Sequence, residues 1–245
     1  MGLVCQAGAH YAEAMQQQAQ HTPLDRCRLV LCMGPAEMET CGADQLRQVL
    51  TGGDVASVIF SPTNLEEEAF QKLVEPLVSA TQDCGVAAVI ADLSRIAGRV
   101  GADGLQLGQD PAALETAIDK FSPRLMVGAA NVKTRHNALT IGELYPDYLM
   151  FGKPGGDIRP DPHPKNLDLG QWWSQMVEIP CIVMGGSDPQ SALAVAKTGA
   201  EFVALGHAIF APDSDAKMVS TAMSRVKQVN ELLEEHAPRF EFVED

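Results

Sequence analysis

Positive charge is scarce in this sequence. Eighteen lysines and arginines stand against 32 aspartates and glutamates, for a formal net charge of −14. That balance argues against a nucleic-acid interface or an anionic membrane surface, while leaving room for a small basic pocket. Long apolar runs are also missing: none approaches the roughly 18 residues of a membrane span. The first residues lack a basic start followed by an apolar core, so no secretion leader is expected. The six cysteines are Cys5, Cys27, Cys32, Cys41, Cys84 and Cys181, and no two form a Cys-x-x-Cys pair. Most sit in apolar runs, which fits a reduced, cytoplasmic setting rather than disulfides or zinc. No activating base stands beside any of them, so a thiol nucleophile is not expected. There is no tandem repeat and no Lys/Glu acid–base pair at the strand ends.

What the 245 residues do contain is alternation. Short apolar runs recur at Arg28–Met33, Val55–Phe60, Val86–Ala91, Gly104–Gly108, Leu125–Ala130 and Tyr148–Phe151. Two more lie in Ile179-Pro-Cys-Ile-Val-Met-Gly-Gly-Ser-Asp-Pro189 and Gly199-Ala-Glu-Phe-Val-Ala-Leu-Gly-His-Ala208. Each is too brief for a helix, and helix-like spacing follows most of them, as in Ala43–Leu50, Ser94–Val100 and Thr134–Leu144. Asn64 is placed to cap the helix whose first turn carries Glu66, Glu67 and Glu68. A long amphipathic helix is expected from Asp213 to Glu235. Eight strand–helix alternations with short connections are the pattern of parallel βα units, and in this length they favour a closed barrel. The expected fold is α/β, a single (β/α)8 TIM barrel over residues 23–245. A helical N-terminal extension precedes it over residues 1–22, where the composition favours helix and offers little to bury.

The last two runs organise the chain. Each ends in glycine: Gly185 and Gly186 before Ser187, and Gly206 before His207. Parallel strands ending in glycine present backbone N–H groups that an anion can approach closely. Barrels often hold a phosphate after strands seven and eight. A phosphate cradle is expected there, against the alternative that the glycines are only tight turns. His207 can donate to a phosphate or act as an acid, or simply start a helix. Gln106, in the fourth run, and Asn131, just past the fifth, join the substrate-binding set.

Asp92 and Asp110 follow the third and fourth runs, which puts two carboxylates on one rim of a barrel. Hard oxygen ligands with open water positions suit Mg²⁺ when a substrate supplies phosphate oxygens. For Asp110, directly before Pro111, capping the next helix is an equal reading. The one long irregular stretch runs from Gly152 to Asn166. Four prolines and three glycines exclude helix or strand along it. Lys153, Arg159, His163 and Lys165 make it locally basic. It reads as a lid over a phosphorylated substrate, or as a plain mobile loop.

Between Arg28 and Pro212 the chain resembles the thiamine phosphate synthase family. The residues that carry the resemblance are Gly101-Ala-Asp-Gly-Leu-Gln-Leu-Gly-Gln-Asp110 and Ile182-Val-Met-Gly-Gly-Ser-Asp-Pro-Gln-Ser-Ala192, with Thr198 through Phe210. The resemblance implies a barrel that couples a hydroxymethylpyrimidine diphosphate to a thiazole phosphate and releases pyrophosphate, with Mg²⁺ on the diphosphate. By position Asp92 matches the first metal aspartate, and Asp110 matches the second once one residue is deleted. The glycine turns match the backbone phosphate sites, with His207 in place of a serine. The chain departs from the family after the second run, where a Gln-x-Arg-Glu-Lys stretch is replaced by Ile59-Phe-Ser-Pro-Thr-Asn64. It departs again at Ala91 and Ala130, where the family has asparagine and serine. The Gly/Pro segment replaces a Thr-x-Thr-Lys loop, and the resemblance then implies Lys153 and Lys165 as the catalytic cations that supply its charge. Small phosphorylated metabolites are the implied partners, and self-association into a homo-oligomer is left open. Two readings compete: a transferase of this type, and a non-catalytic or re-purposed phosphate-ligand barrel. A phosphate-barrel isomerase is a third, without a strand-end acid–base pair to support it.

Overall fold

The computed structural model describes residues 25–210 and 217–240. The expected lead-in over residues 1–22 lies outside them, as does the start of the closing helix at Asp213. Among the described residues the strands are β1 (Arg28–Met33), β2 (Val55–Phe60), β3 (Ala87–Ala91), β4 (Gly104–Leu107), β5 (Met126–Ala129), β6 (Tyr148–Phe151), β7 (Cys181–Met184) and β8 (Phe202–Leu205). They pair in chain order, all parallel, and β8 returns to β1 to close the barrel. The fold is the expected (β/α)8 barrel.

The helices are α1 (Pro35–Thr40), α2 (Ala43–Leu50), α3 (Glu67–Asp83), α4 (Ser94–Arg99), α5 (Pro111–Phe121), α6 (Arg135–Gly142), α7 (Pro164–Met176), α8 (Ser191–Ala196), α9 (His207–Phe210) and α10 (Met218–His236). Their apolar faces pack on the outside of the strands around Leu31, Phe60, Phe70, Phe151 and Trp173. Three differences from the sequence expectation have local causes. The short α1 follows the Gly34–Pro35 stop, with Pro35 in its first turn, where a missing N–H costs nothing. Asn64 does not cap α3, whose cap position is Glu66. The chain turns left-handed at Thr63 (φ 49°), and the Leu65 amide closes that turn on the Pro62 carbonyl (2.9 Å), so the helix starts later. The Gly/Pro stretch is irregular only to His163. Pro164 opens α7, with the Nδ1 of His163 accepting the Lys165 amide at 3.2 Å.

A second apolar cluster fills the barrel's interior: Val30, Cys32, Ile59, Val89, Met150, Ile182 and Met184, with small alanines between them. Tyr148 spans this space. Its ring lies where a Cβ on Gly128 would stand, 2.1 Å from Cζ, so position 128 admits only glycine. The Tyr148 hydroxyl donates to Oε1 of buried Gln106 at 3.2 Å. Burial pushes the phenol's pKa far up, so it remains a donor at all ordinary pH.

Candidate active site

The C-terminal ends of the strands carry two adjoining cavities. One, of about 240 Å³, is lined by Asp92, Gln106, Asn131 and Lys153, with Ser61 and Thr63. The other, of about 220 Å³, is lined by Cys32, Glu37 and His207 and shares Ser61 and Thr63. Thr63, Asp92 and Asn131 follow β2, β3 and β5, and all three have positive φ: 49°, 62° and 60°. This left-handed region is uncommon for residues other than glycine, above all for a β-branched threonine. Asp92 and Asn131 are of the types that tolerate it, so the strain at this cavity rests on Thr63, and strained residues commonly lie at functional sites.

The left-handed turns have identifiable anchors. The Asp92 amide donates to the Gln106 carbonyl (2.8 Å), and the Asn131 amide donates to the Gly152 carbonyl (2.8 Å). These bonds hold the two turns in place beside the cavity that Asp92 and Asn131 line. Asp92 is exposed at the rim, yet neighbouring atoms desolvate its carboxyl in part. That partial burial holds its carboxyl above the ordinary carboxylate range, and a hydrogen bond from the Gly108 backbone pulls it part of the way back. Lys153 is exposed at the edge of the same cavity. Gln106 lies at its floor, held through Oε1 by Tyr148, which leaves the amide N–H₂ as its donor for a ligand.

Other candidates lie elsewhere. Asp110 caps α5, its Oδ1 accepting the Ala112 amide at 3.1 Å. Lys165 is exposed on the first turn of α7. Among the described residues, no three His, Cys, Asp or Glu side chains gather into a metal cluster. Burial, with the charges of Asp157 and Glu37, pushes the Cys32 thiol's pKa far up, so it stays protonated beside His207.

The glycine turns after β7 and β8 sit side by side at the mouth, as expected. Their amides, however, are not bare, and on this point the sequence expectation is corrected. The Gly206 amide donates to Oδ2 of Asp157 at 2.8 Å, and the Ala208 amide reaches the same oxygen at 3.4 Å. The other oxygen, Oδ1, lies 3.0 Å from Nδ1 of His207. The Ser187 amide donates to the Arg159 carbonyl (2.7 Å), and that of Asp188 to the Pro160 carbonyl (3.3 Å). The Gly186 amide donates to the Ser191 hydroxyl at 2.9 Å. The segment Asp157–Pro160 of the β6 loop is thus threaded into the cradle. Gly186 is the residue that lets it pass, because a Cβ there would stand 2.0 Å from the Pro160 carbonyl oxygen.

Asp157 is the site residue that sequence reasoning missed. Its side chain is 0% exposed, while that of His207 is 40% exposed. The cations of the loop drew attention because they are rare in an acidic chain; an aspartate among glycines reads as an ordinary turn residue.

Comparison with known proteins gives a consistent result. A family model described as thiamine monophosphate synthase matches residues 29–209. A thiamine-phosphate synthase of Rhodospirillum centenum is 32% identical over 185 residues, 73% of this chain and 87% of that protein. One from Erythrobacter litoralis is 31% identical over 173 residues, 69% of this chain and 81% of that protein. Among solved structures, the thiamine phosphate pyrophosphorylase of Pyrococcus furiosus superposes with a TM-score of 0.65 at 22% identity, covering 84% of this chain and 98% of that one.

Proposed function

The chain belongs to the thiamine monophosphate synthase family, and from that premise we propose that it is a transferase of the thiamine phosphate synthase type. It couples hydroxymethylpyrimidine diphosphate to a thiazole phosphate and releases pyrophosphate. The observation that carries the reading is the mouth cavity where Asp92, Gln106, Asn131 and Lys153 meet. Family and cavity together support a reaction at the C-terminal face, where barrels of this kind hold their chemistry.

The donor set fits a magnesium ion of one particular kind. Mg²⁺ in phosphate chemistry commonly takes one or two carboxylates and completes its shell with water and substrate oxygens. Asp92 offers one carboxylate, exposed at the rim, and a neighbouring cation favours its ionised form. Mg²⁺ held there supplies charge neutralisation for a departing pyrophosphate. Lys153 adds a positive charge at the edge of the cavity, where the pyrophosphate is stabilised as it leaves. Gln106 and Asn131 are the polar groups that orient the pyrimidine ring between diphosphate and acceptor. The end of β2 carries Ser61 and Thr63 in place of a basic run, so the chain stabilises the leaving group with fewer cations. Slow turnover is the expected consequence.

A second reading, a barrel that binds a phosphorylated metabolite without turnover, is favoured by one observation: Ser61-Pro62-Thr63-Asn64 after β2 carries no cation to hold a leaving pyrophosphate. No described helix is long and apolar enough to cross a membrane, and a cytoplasmic setting with small phosphorylated partners fits both readings. The deciding experiment incubates pure protein with the pyrimidine diphosphate, the thiazole phosphate and Mg²⁺, followed by mass spectrometry. Thiamine phosphate is expected, and chelation of the metal abolishes it. Thermal stabilisation by these ligands with no product selects the binder.

A further inference from the structure

We propose that Asp157 determines which acceptor tail the barrel admits, because its carboxylate holds the backbone amides that a substrate phosphate needs. The inference rests on the transferase reading and deepens it. It starts from the competition visible at the two turns. Gly206 and Ala208 donate to Asp157, and Ser187 and Asp188 donate to loop carbonyls. Each of these amides has one proton to give. A phosphate monoester placed on them meets a carboxylate and two carbonyl oxygens, all of them acceptors like itself. It binds only after Asp157–Pro160 lifts out. An acceptor ending in an uncharged hydroxyl needs none of these amides and leaves the loop in place.

The arrangement is built, not incidental. Asp157 is fully buried, and a buried carboxylate is tolerated only where donors surround it. Here two amides and the His207 ring do so. The close approach at Gly186 and the left-handed Gly155 in the same loop (φ 71°) let the segment descend into the cradle. The chain therefore carries an internal anion where a ligand's anion would sit. A phosphorylated acceptor is penalised relative to its dephosphorylated form, and the size of the penalty depends on this one charge.

Two measurements test the proposal. The first needs no turnover: thermal melting of the native protein and of Asp157→Ala as inorganic phosphate is titrated. The native midpoint is expected to stay put. Asp157→Ala melts lower without phosphate and climbs as phosphate fills the vacated amides. A native shift as large as that of the variant overturns the proposal, and Asp157→Asn is titrated in its place if Asp157→Ala does not fold. The second compares KM for the thiazole phosphate with KM for the same thiazole bearing a free hydroxyl. Asp157→Asn keeps an oxygen for the Gly206 amide but removes the charge. The ratio of the two KM values is expected to fall about tenfold in favour of the phosphate, the scale of one charge-assisted contact replaced by a neutral one. An unchanged ratio contradicts a specificity role. Absence of product with either acceptor overturns the transferase reading instead, and the phosphate titration still decides the role of Asp157.

Discussion

At the N-terminal end of the barrel, an acid stands directly before every second strand and reaches the start of the strand before it. Asp103, leading β4, takes the Ala88 amide in β3 at 2.8 Å. Asp147, leading β6, takes the Val127 amide in β5 at 2.6 Å, and Glu201, leading β8, takes the Cys181 amide in β7 at 2.8 Å. Asp54, leading β2, grips the Arg28 guanidinium in β1 at 2.7 and 3.0 Å. At the C-terminal end one carboxylate, Asp157, makes the same kind of contact with Gly206, from 49 residues away. The N-terminal contacts join neighbours in the sheet, separated by 15 to 26 residues. Three of them satisfy strand-start amides, and the fourth pairs with the Arg28 guanidinium. The C-terminal contact spans two βα units and consumes amides that a ligand could use. The same chemistry stabilises at one end and competes with binding at the other.

Substitutions can break this contrast. The largest effect is expected for Asp157→Ala, which leaves two backbone donors without their partner. It is expected to cost roughly 3 kcal/mol of unfolding free energy in phosphate-free buffer, read by chemical denaturation. Next is Asp92→Ala, which is expected to slow turnover about 100-fold, the scale of one lost electrostatic contact, without lowering stability. Asp147→Ala should do the opposite. Loss of a charged partner for the Val127 amide costs about 1–2 kcal/mol in denaturation and leaves kcat intact. Asp110→Ala removes a helix cap worth about 1 kcal/mol, with turnover unchanged if capping is its whole role.

The smallest effect sharpens the sign of the account. Asp92 titrates above its unfolded value, so the folded state favours the protonated carboxyl. That contribution is complete in acid and is lost as pH rises through the raised pKa. At neutral pH the ionised side chain is a cost, and asparagine is at ease in left-handed backbone. Asp92→Asn is therefore expected to melt at or slightly above the native midpoint at neutral pH, an advantage that disappears in acid.

The barrel was legible because strand and helix periodicities are local, and buried parallel strands announce themselves as short apolar runs. The acids Asp54, Asp103, Asp147 and Glu201 each sit immediately before a strand, but their partners on the preceding strands emerge only from the closed sheet. Asp92 could be placed at a strand end for the same reason, though not its left-handed turn. Asp157 could not be placed. Its partner lies two units on, and only the closed fold brings the β6 loop over the turn after β8. The state of the cradle amides depended on that long-range contact, so glycine spacing revealed the turns and not their occupant.

The account's central claim is that chemistry belongs to the C-terminal mouth and stability to the opposite rim. The most direct test is a single-turnover assay of native protein, Asp92→Ala and Asp147→Ala with both substrates and Mg²⁺. The account predicts thiamine phosphate from the native protein and from Asp147→Ala, and almost none from Asp92→Ala. Equal yields from the two variants, or product from Asp92→Ala alone, would contradict it.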